Sequence, residues 1–178
     1  MPYELEIRSI LESLSASRDV SGSFVAPDVD LGQQTYSFEG PIEFEVTLTN
    51  AGEGIVLSGE AHARVVTPCV RCLTDFTSEV VAQVDGFYVR PGHEDEFPEE
   101  QEVELIADDS TVDLEPAILQ SIVVELPFAP VHDTECKGMC PVCGADLNVS
   151  ECGCAAEPVP SAFDALLDLD LEEEDGGS

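Results

Sequence analysis

The feature that most constrains the fold of this chain is a cluster of cysteines towards its C-terminal end. Five of the seven cysteines fall between residues 136 and 154, at Cys136, Cys140, Cys143, Cys152 and Cys154. The Cys140-Pro-Val-Cys143 spacing lets two thiolates reach one ion, and Gly144 allows the tight turn that aims backbone amides at the sulfurs. Because the stretch has few large apolar residues to bury, we expect a bound metal to hold its structure.

The pattern of these cysteines favours zinc. Cys152-Gly-Cys154 adds two sulfurs to the earlier pair, and four soft ligands in two close pairs suit tetrahedral Zn²⁺. The Cys-x₂-Cys spacing is typical of zinc sites. A pair of disulfides and an iron–sulfur cluster are the alternatives that the pattern leaves open.

The spacing predicts a metal site, but it leaves open which of the candidate residues complete the ligand set. We expect a four-sulfur site that contains Cys140, Cys143 and two of the three remaining cysteines of the cluster. His132 and Cys136 precede it at four-residue intervals, so either can replace a sulfur of the terminal pair. One histidine and seven cysteines make eight candidate ligands, enough for two tetrahedral sites. They are Cys69, Cys72, His132, Cys136, Cys140, Cys143, Cys152 and Cys154.

The charge of the chain is strongly one-sided, with 38 acidic and six basic residues and a formal net charge of −32. Such a field repels nucleic acid phosphates and anionic membranes and attracts basic partners. Adaptation to high salt, or simple solubility, is the alternative explanation. Under either explanation, unaided binding to RNA or DNA is disfavoured.

Membrane and export signals are not evident in the sequence. It has no run of about 18 apolar residues that would predict a transmembrane helix. The N-terminal stretch lacks the basic lead and the apolar segment of a secretory signal. We therefore expect a cytoplasmic protein with reduced thiols, which favours metal binding over disulfides.

Alternating hydrophobicity predicts β-structure in the first half of the chain. The first twenty residues are typical of a strand followed by a helical turn, and residues 13–23, which are small and polar, are typical of a loop. From Tyr36 the sequence alternates apolar and polar residues, and residues 42–48 and 55–65 flank a glycine-containing turn at 50–54. This pattern predicts a β-hairpin with one buried face.

Cys69 and Cys72 lie between the second of these strands and a third alternating segment that runs to Val89. We therefore expect them at the tip of a long antiparallel hairpin. A thioredoxin-type redox pair would instead begin a helix after a parallel strand. Metal binding is our first interpretation of this pair, and a structural turn with free thiols or redox work are the alternatives.

One main helix is predicted over residues 112–126. Asp113 is a plausible N-cap, Pro116 suits a first turn, and Pro127 ends the helix. Its apolar residues form a stripe that should cover the sheet, namely Ile118, Leu119, Ile122, Val123 and Leu126. The predicted class is α+β, an antiparallel sheet, open or barrel-like, packed by one main helix and followed by a cysteine-rich zinc segment.

The predicted organisation is a core domain at 1–130, the zinc segment at 131–156 and an acidic tail at 157–178. Residues 94–115 hold eleven acids and no base, and we expect their first half to be a mobile loop. In the tail, Phe163 and four leucines could form a brief amphipathic helix, with disorder from residue 172 onwards.

No catalytic constellation is evident. His62, His93 and His132 are far apart, no serine lies in a nucleophile elbow, and no glycine-rich phosphate loop occurs. A catalytic zinc needs an open position with a water, whereas this chain offers surplus sulfur. The sequence predicts a protein that is not an enzyme and has no small-molecule substrate.

Three stretches together resemble the YceD family, the bacterial large ribosomal RNA subunit accumulation proteins. They are CVRCL (69–73), DLEPAILQSIVVELPFAPVH (113–132) and CKGMCPVCGADLNVSECGC (136–154). The resemblance covers about residues 36–154. By position, Cys69, Arg71 and Cys72 match the first family motif, and the five later cysteines match the cysteine-rich one. His132 stands where some members have a further cysteine.

The resemblance implies a cytosolic, non-catalytic role in the synthesis, processing or stability of large-subunit (23S) ribosomal RNA. Family genes often lie beside the gene of a small zinc-bearing ribosomal protein. Members usually end in a basic segment, but residues 160–175 contain no base. We therefore expect a basic ribosomal protein or assembly factor as the partner, and an indirect link to RNA. The alternative is a zinc module that contacts RNA directly through Arg64, Arg71 and Lys137.

Overall fold

The computed structural model describes residues 3–93, 97 and 103–154, which form nine strands and two helices. In chain order these are β1 (Glu4–Glu6), α1 (Arg8–Leu11), β2 (Ser17–Phe24), β3 (Val29–Leu31), β4 (Gln34–Phe38), β5 (Ile42–Asn50), β6 (Ile55–Pro68), β7 (Asp75–Val89), β8 (Glu104–Leu105), β9 (Thr111–Asp113) and α2 (Glu115–Glu125). The predicted α+β class is confirmed. The main sheet has seven strands and is open, so the barrel-like alternative does not form among the described residues.

β6 is the central strand and determines where the hairpin tip lies. It pairs with β7 along its whole length, from Ile55↔Tyr88 to Pro68↔Asp75. Its other edge pairs first with β5 and then, nearer the tip, with β4. All of these pairings are antiparallel, and the predicted hairpins are confirmed. The long β6–β7 pair therefore places the Cys69–Cys72 turn at one end of the sheet.

α2 covers the apolar face of this sheet, as the stripe predicted. Ile118 and Ile122 are fully buried, and Leu126 is buried just beyond the last turn. Gly86 on β7 lets the helix approach closely, since a Cβ at this position would lie 3.2 Å from the Cβ of Ala117. The hydroxyl of Tyr36 donates a hydrogen bond to the carbonyl of Pro127. This contact fixes the chain as it leaves α2 towards the hairpin tip.

The helix begins later than predicted, at Glu115 instead of residue 112. Val112 and its neighbours form β9, which pairs with β1 near the N-terminus. The predicted N-cap at Asp113 is wrong by one position, because Leu114 is the N-cap residue; the carboxylate of Asp113 still accepts a hydrogen bond from the amide of Glu115 at 3.0 Å. Burial of Val112 fits both a helix and a strand, so the local pattern could not separate them.

The N-terminal region contains both a confirmed prediction and a wrong one. β1 and α1 match the predicted strand and helical turn. The loop predicted over residues 13–23 is wrong, because β2 extends from Ser17 to Phe24 and pairs with the edge of β5. Its side chains are mostly small and exposed, so backbone pairing holds this strand without an apolar pattern.

Several predictions concern residues outside the described part of the chain. Most of the acidic loop at 94–102 lies there, as does the tail from residue 155. The division into domains stays a prediction. Among the described residues, none of the helices combines the length and the apolar character needed to cross a membrane.

Candidate metal centre

The eight candidate ligands form two groups of four, and in each group the ligand atoms all lie within 4.8 Å of one another. The inner cluster consists of Cys69, Cys72, His132 and Cys136. The outer cluster consists of Cys140, Cys143, Cys152 and Cys154. Each group offers four ligands at a separation at which one metal ion could bind them all.

The tip of the β6–β7 hairpin supplies half of the inner cluster. The amide of Cys69 donates to the carbonyl of Thr74 at 3.0 Å, and the amide of Leu73 donates to the carbonyl of Cys69 at 2.9 Å. Leu73 adopts a left-handed conformation, with φ of 61°, that closes the turn. Both thiols are buried as a result, with 0% of Cys69 and 5% of Cys72 exposed.

The segment after α2 supplies the other half. The amide of Val70 donates to the carbonyl of Pro130 at 2.9 Å, which holds this segment against the tip. The sulfur of Cys72 then lies 3.4 Å from Nδ1 of His132, and the sulfurs of Cys69 and Cys136 are 3.9 Å apart. The fold thus joins residues that are 60 or more positions apart in sequence.

A small apolar shell surrounds the inner cluster. Phe76 and Val131 pack against the three buried cysteines, separately from the main core. The Phe76 ring meets the imidazole of His132 edge-on, with the ring centroids 6.4 Å apart. His132 is the exposed member of the group. Four ligands in a mostly buried setting are typical of a structural metal site.

The outer cluster begins at a tight turn of the cysteine-rich segment. The amide of Cys140 donates to the carbonyl of Ala145 at 2.8 Å, and Gly144 donates back to the carbonyl of Cys140 at 2.9 Å. Gly144 has φ of +72°, the left-handed conformation expected at this position. Cys140 is buried, Cys152 is half-buried, and Cys143 and Cys154 are exposed.

Arg71 and Asn148 support Cys136 of the inner cluster, Arg71 through the Cys136 backbone and Asn148 through the Cys136 sulfur. The guanidinium of Arg71 donates to the carbonyls of Thr134 and Cys136 at 2.9 and 3.1 Å. The side chain of Asn148 donates to the sulfur of Cys136 at 3.4 Å and accepts the amide of Lys137 at 2.8 Å. Sequence reasoning missed Asn148, since an asparagine in a cysteine-rich turn is too common to indicate a role.

Local hydrogen bonds lower the pKa of one thiol in each cluster, Cys69 in the inner cluster and Cys140 in the outer cluster. Burial opposes ionisation of Cys69, but hydrogen bonds from His132 and from nearby amides outweigh it and lower its pKa to about 5. Burial raises the pKa of Cys136. In the outer cluster, the amides of Cys143 and Val142 lower the pKa of Cys140 to about 6.

The pKa values of both thiols in the terminal pair of the outer cluster, Cys152 and Cys154, are raised. Hydrogen bonding to Cys143 raises the pKa of Cys154 to about 12. The amide of Cys154 favours ionisation of Cys152, but the hydrogen bond to Cys140 and burial raise its pKa overall. Thiolates are the forms that bind metal, so a soft divalent cation would displace protons from these groups.

The donor sets suit zinc in composition. The inner cluster offers three sulfurs and an imidazole and the outer cluster four sulfurs, both of which are standard tetrahedral zinc sets. All seven cysteines are free thiols, without disulfides. The structure groups Cys152 and Cys154 with the Cys140 pair, whereas Cys136 joins His132 at the hairpin tip. The identity of the bound ligands stays a prediction.

Asn148→Ala should weaken metal binding at the inner cluster although Asn148 is not a candidate ligand. It removes the hydrogen bond to the Cys136 sulfur, and the loss of such outer-shell partners lowers metal affinity by about 10- to 100-fold. Competition with a coloured chelator measures the change. Ser150→Ala, on an exposed neighbour in the same loop, is the control and should leave affinity unchanged. Equal affinity in both variants would contradict a supporting role for Asn148.

Comparison with known proteins gives the chain a family. The family model described as "Large ribosomal RNA subunit accumulation protein YceD" matches residues 57–170, a range that contains all eight candidate ligands. No solved structure matches the chain.

Curated relatives occur in mycobacteria. An uncharacterized protein of Mycobacterium tuberculosis is 33% identical over 129 residues, which cover 72% of this chain and 61% of the relative. A second, from Mycobacterium leprae, is 31% identical over 109 residues, or 61% of this chain and 50% of the relative. The chain thus spans about three fifths or less of these relatives.

Proposed function

We propose that this chain, which belongs to the YceD family of large ribosomal RNA subunit accumulation proteins, acts in the cytoplasm as a non-catalytic zinc-binding factor that engages a basic protein partner. The family name supports the link to large-subunit ribosomal RNA. The observation that carries the choice of partner is the formal net charge of −32. Basic ribosomal proteins and assembly factors have the complementary charge.

The solvent face of the sheet supports this choice of partner. Glu45 on β5 lies directly opposite Glu60 on β6, and Glu43 is the next outward-facing residue on β5. All three are exposed. Like charges that face each other across a sheet are destabilising. A basic partner would relieve this repulsion, so we define Glu43, Glu45 and Glu60 as the acidic sheet face.

The alternative is a zinc module that binds RNA directly. The chain offers such a module few basic side chains for contacting phosphates. Four of the six bases contact acids or carbonyl oxygens of the chain itself: Arg8, Arg18, Arg64 and Arg71. Arg64 lies 3.0 Å from the carboxylate of Glu39, and the Arg71 guanidinium is bound to carbonyls beside the inner cluster. Binding to phosphates needs several available cations.

Binding to purified basic proteins of the large ribosomal subunit, and separately to purified precursor ribosomal RNA, tests the proposal. We expect complexes with a basic protein that weaken as salt rises, and weak or no binding to naked RNA at physiological salt, because phosphates are repelled. Tight binding to the RNA without any protein would overturn the proposal in favour of the RNA-contacting module.

Charge-neutral variants locate the contact. Replacing Glu43, Glu45 and Glu60 by glutamine should weaken the protein complex, as should neutralising the acids of residues 94–104. The matched control replaces three exposed acids elsewhere, Glu12, Asp28 and Glu53, by their amides. Because the change in net charge is equal, a larger loss in the first variant indicates local contact.

A further inference from the structure

We propose that the inner and outer clusters bind two soft divalent metal ions with different roles. The inner ion is part of the fold and is retained, whereas the outer ion exchanges while the fold persists. This inference rests on the zinc-binding part of the proposed function and does not depend on the protein partner.

Two of the four inner ligands, Cys69 and Cys72, lie at the end of a strand pair that needs no metal. The β6–β7 pairing continues to Pro68↔Asp75, directly beneath the tip that carries Cys69 and Cys72. The contact between the Val70 amide and the Pro130 carbonyl brings in the segment that carries the other two ligands. Ligands that the sheet already positions lose little conformational freedom on binding, which favours high affinity.

Burial also favours retention at the inner cluster. The three cysteines of this cluster are between 0% and 6% exposed and pack against Phe76 and Val131. A chelator must approach through the exposed His132 or wait for the segment after α2 to detach. Detachment would break the Val70 contact and both hydrogen bonds of the Arg71 side chain.

The outer ligands are close together in sequence, and in the described part of the chain backbone–backbone hydrogen bonds hold only two of the four, Cys140 and Cys143. Cys140 and Cys143 belong to the hydrogen-bonded turn closed by Ala145. Among the described residues, the backbone–backbone hydrogen bonds of this segment extend to Ser150 and none involves Cys152 or Cys154. Two of the four sulfurs are exposed. A chelator can therefore reach this ion, and its loss frees only the last few described residues.

The support of the inner cluster does not depend on the outer terminal pair. The loop that carries Asn148 is closed by a hydrogen bond from the Leu147 amide to the Gly138 carbonyl at 3.0 Å and by a β-bridge between Met139 and Asp146. Gly138 in turn packs on Arg71, whose carbonyl would lie 3.1 Å from a Cβ at residue 138. Emptying the outer cluster should leave these contacts in place.

Cadmium-113 NMR of the full chain, with a chelator titration, distinguishes the two sites. The wild type should bind two ions, one with the resonance of a four-sulfur site and one with that of a three-sulfur, one-nitrogen site. The four-sulfur resonance should disappear first, at a chelator concentration ~10-fold or more lower, since outer-shell support changes affinity by about 10- to 100-fold. Loss of both together, or of the mixed site first, would overturn the proposal.

Two ligand variants complete the test. Cys143→Ser should lose only the four-sulfur resonance and keep the melting temperature of the parent within a degree or two. His132→Ala should lose or shift only the resonance of the three-sulfur, one-nitrogen site and should lower the melting temperature. It is preferred to Cys72→Ser because it keeps all three inner sulfurs and should therefore fold even if Cys72→Ser does not. A lower melting temperature for Cys143→Ser than for His132→Ala would contradict the assigned roles.

The outcomes also separate this inference from the proposed function. Two ions with the expected order of loss, in a protein that binds no basic partner, would support the inference and overturn the choice of partner. A wild type that takes up fewer than two ions would overturn the inference and leave the partner assay unaffected.

Discussion

Ile122→Asp should unfold the protein under conditions in which the parent is fully folded. Ile122 is completely buried where α2 packs on the sheet. The substitution removes an apolar side chain from the core and places a carboxylate there without a partner. We expect a loss of about 4 kcal/mol or more in the free energy of unfolding, a size reserved for a few mechanisms that include buried unpaired charge.

Val124→Asp is the matched control, because it places the same charge on the opposite side of the same helix. The side chain of Val124 is 75% exposed. Surface substitutions of this kind usually change stability by less than about 0.5 kcal/mol. Urea denaturation of both variants measures the difference. A variant Ile122→Asp that melts within a degree or two of the parent would show that α2 does not cover the core.

The sequence predicted the elements whose side chains are buried at a regular period. Alternation along β5, β6 and β7 and the stripe of α2 follow from a sheet with one covered face. β2 was missed because it is an edge strand with exposed small side chains such as Ser21 and Ser23. Its position is determined by the free edge of β5, which a local pattern does not reveal.

The sequence identified all eight candidate ligands, but not how they are grouped. Cys140 is the cysteine nearest to Cys136 in sequence, yet the Cys136 sulfur faces Cys69 at the hairpin tip. Spacing shows which cysteines can bind together locally. The grouping of the inner ligands depends on the path of the segment after α2, which carries His132 and Cys136 to the hairpin tip. That path depends in turn on how the helix packs against the sheet.

The basic residues that the RNA-binding alternative would use are a second case in which the sequence alone did not reveal the structural role. Arg71 is exposed and lies in a family motif, so the sequence alone is compatible with phosphate binding by its guanidinium. In the fold its side chain donates to two carbonyls of the segment that follows α2. An arginine that satisfies the backbone of a metal site has a structural role that charge alone does not predict.

Cys69→Ser should detach the cysteine-rich segment from the sheet while the sheet stays folded. It removes a fully buried ligand at the tip, and structural zinc contributes about 10–16 kcal/mol in zinc-finger peptides. The amides of Val70 and Met139 report the attachment directly, because they donate to Pro130 and Arg71 across the junction. We expect their protection from hydrogen exchange to fall to that of an open loop.

The amide of Ile118 is the control within the same molecule, because it donates to the carbonyl of Leu114 inside α2 and should remain protected in Cys69→Ser. Val70→Ala, beside the ligand but half-exposed, controls for disturbance of the tip and should keep both junction amides protected. Simultaneous loss of protection at Ile118 would mean that the inner cluster supports the whole core. The main core of the sheet and α2 contains none of the eight candidate ligands, which is why we expect Ile118 to stay protected. Unchanged protection at the junction would mean that hydrogen bonds alone hold the segment.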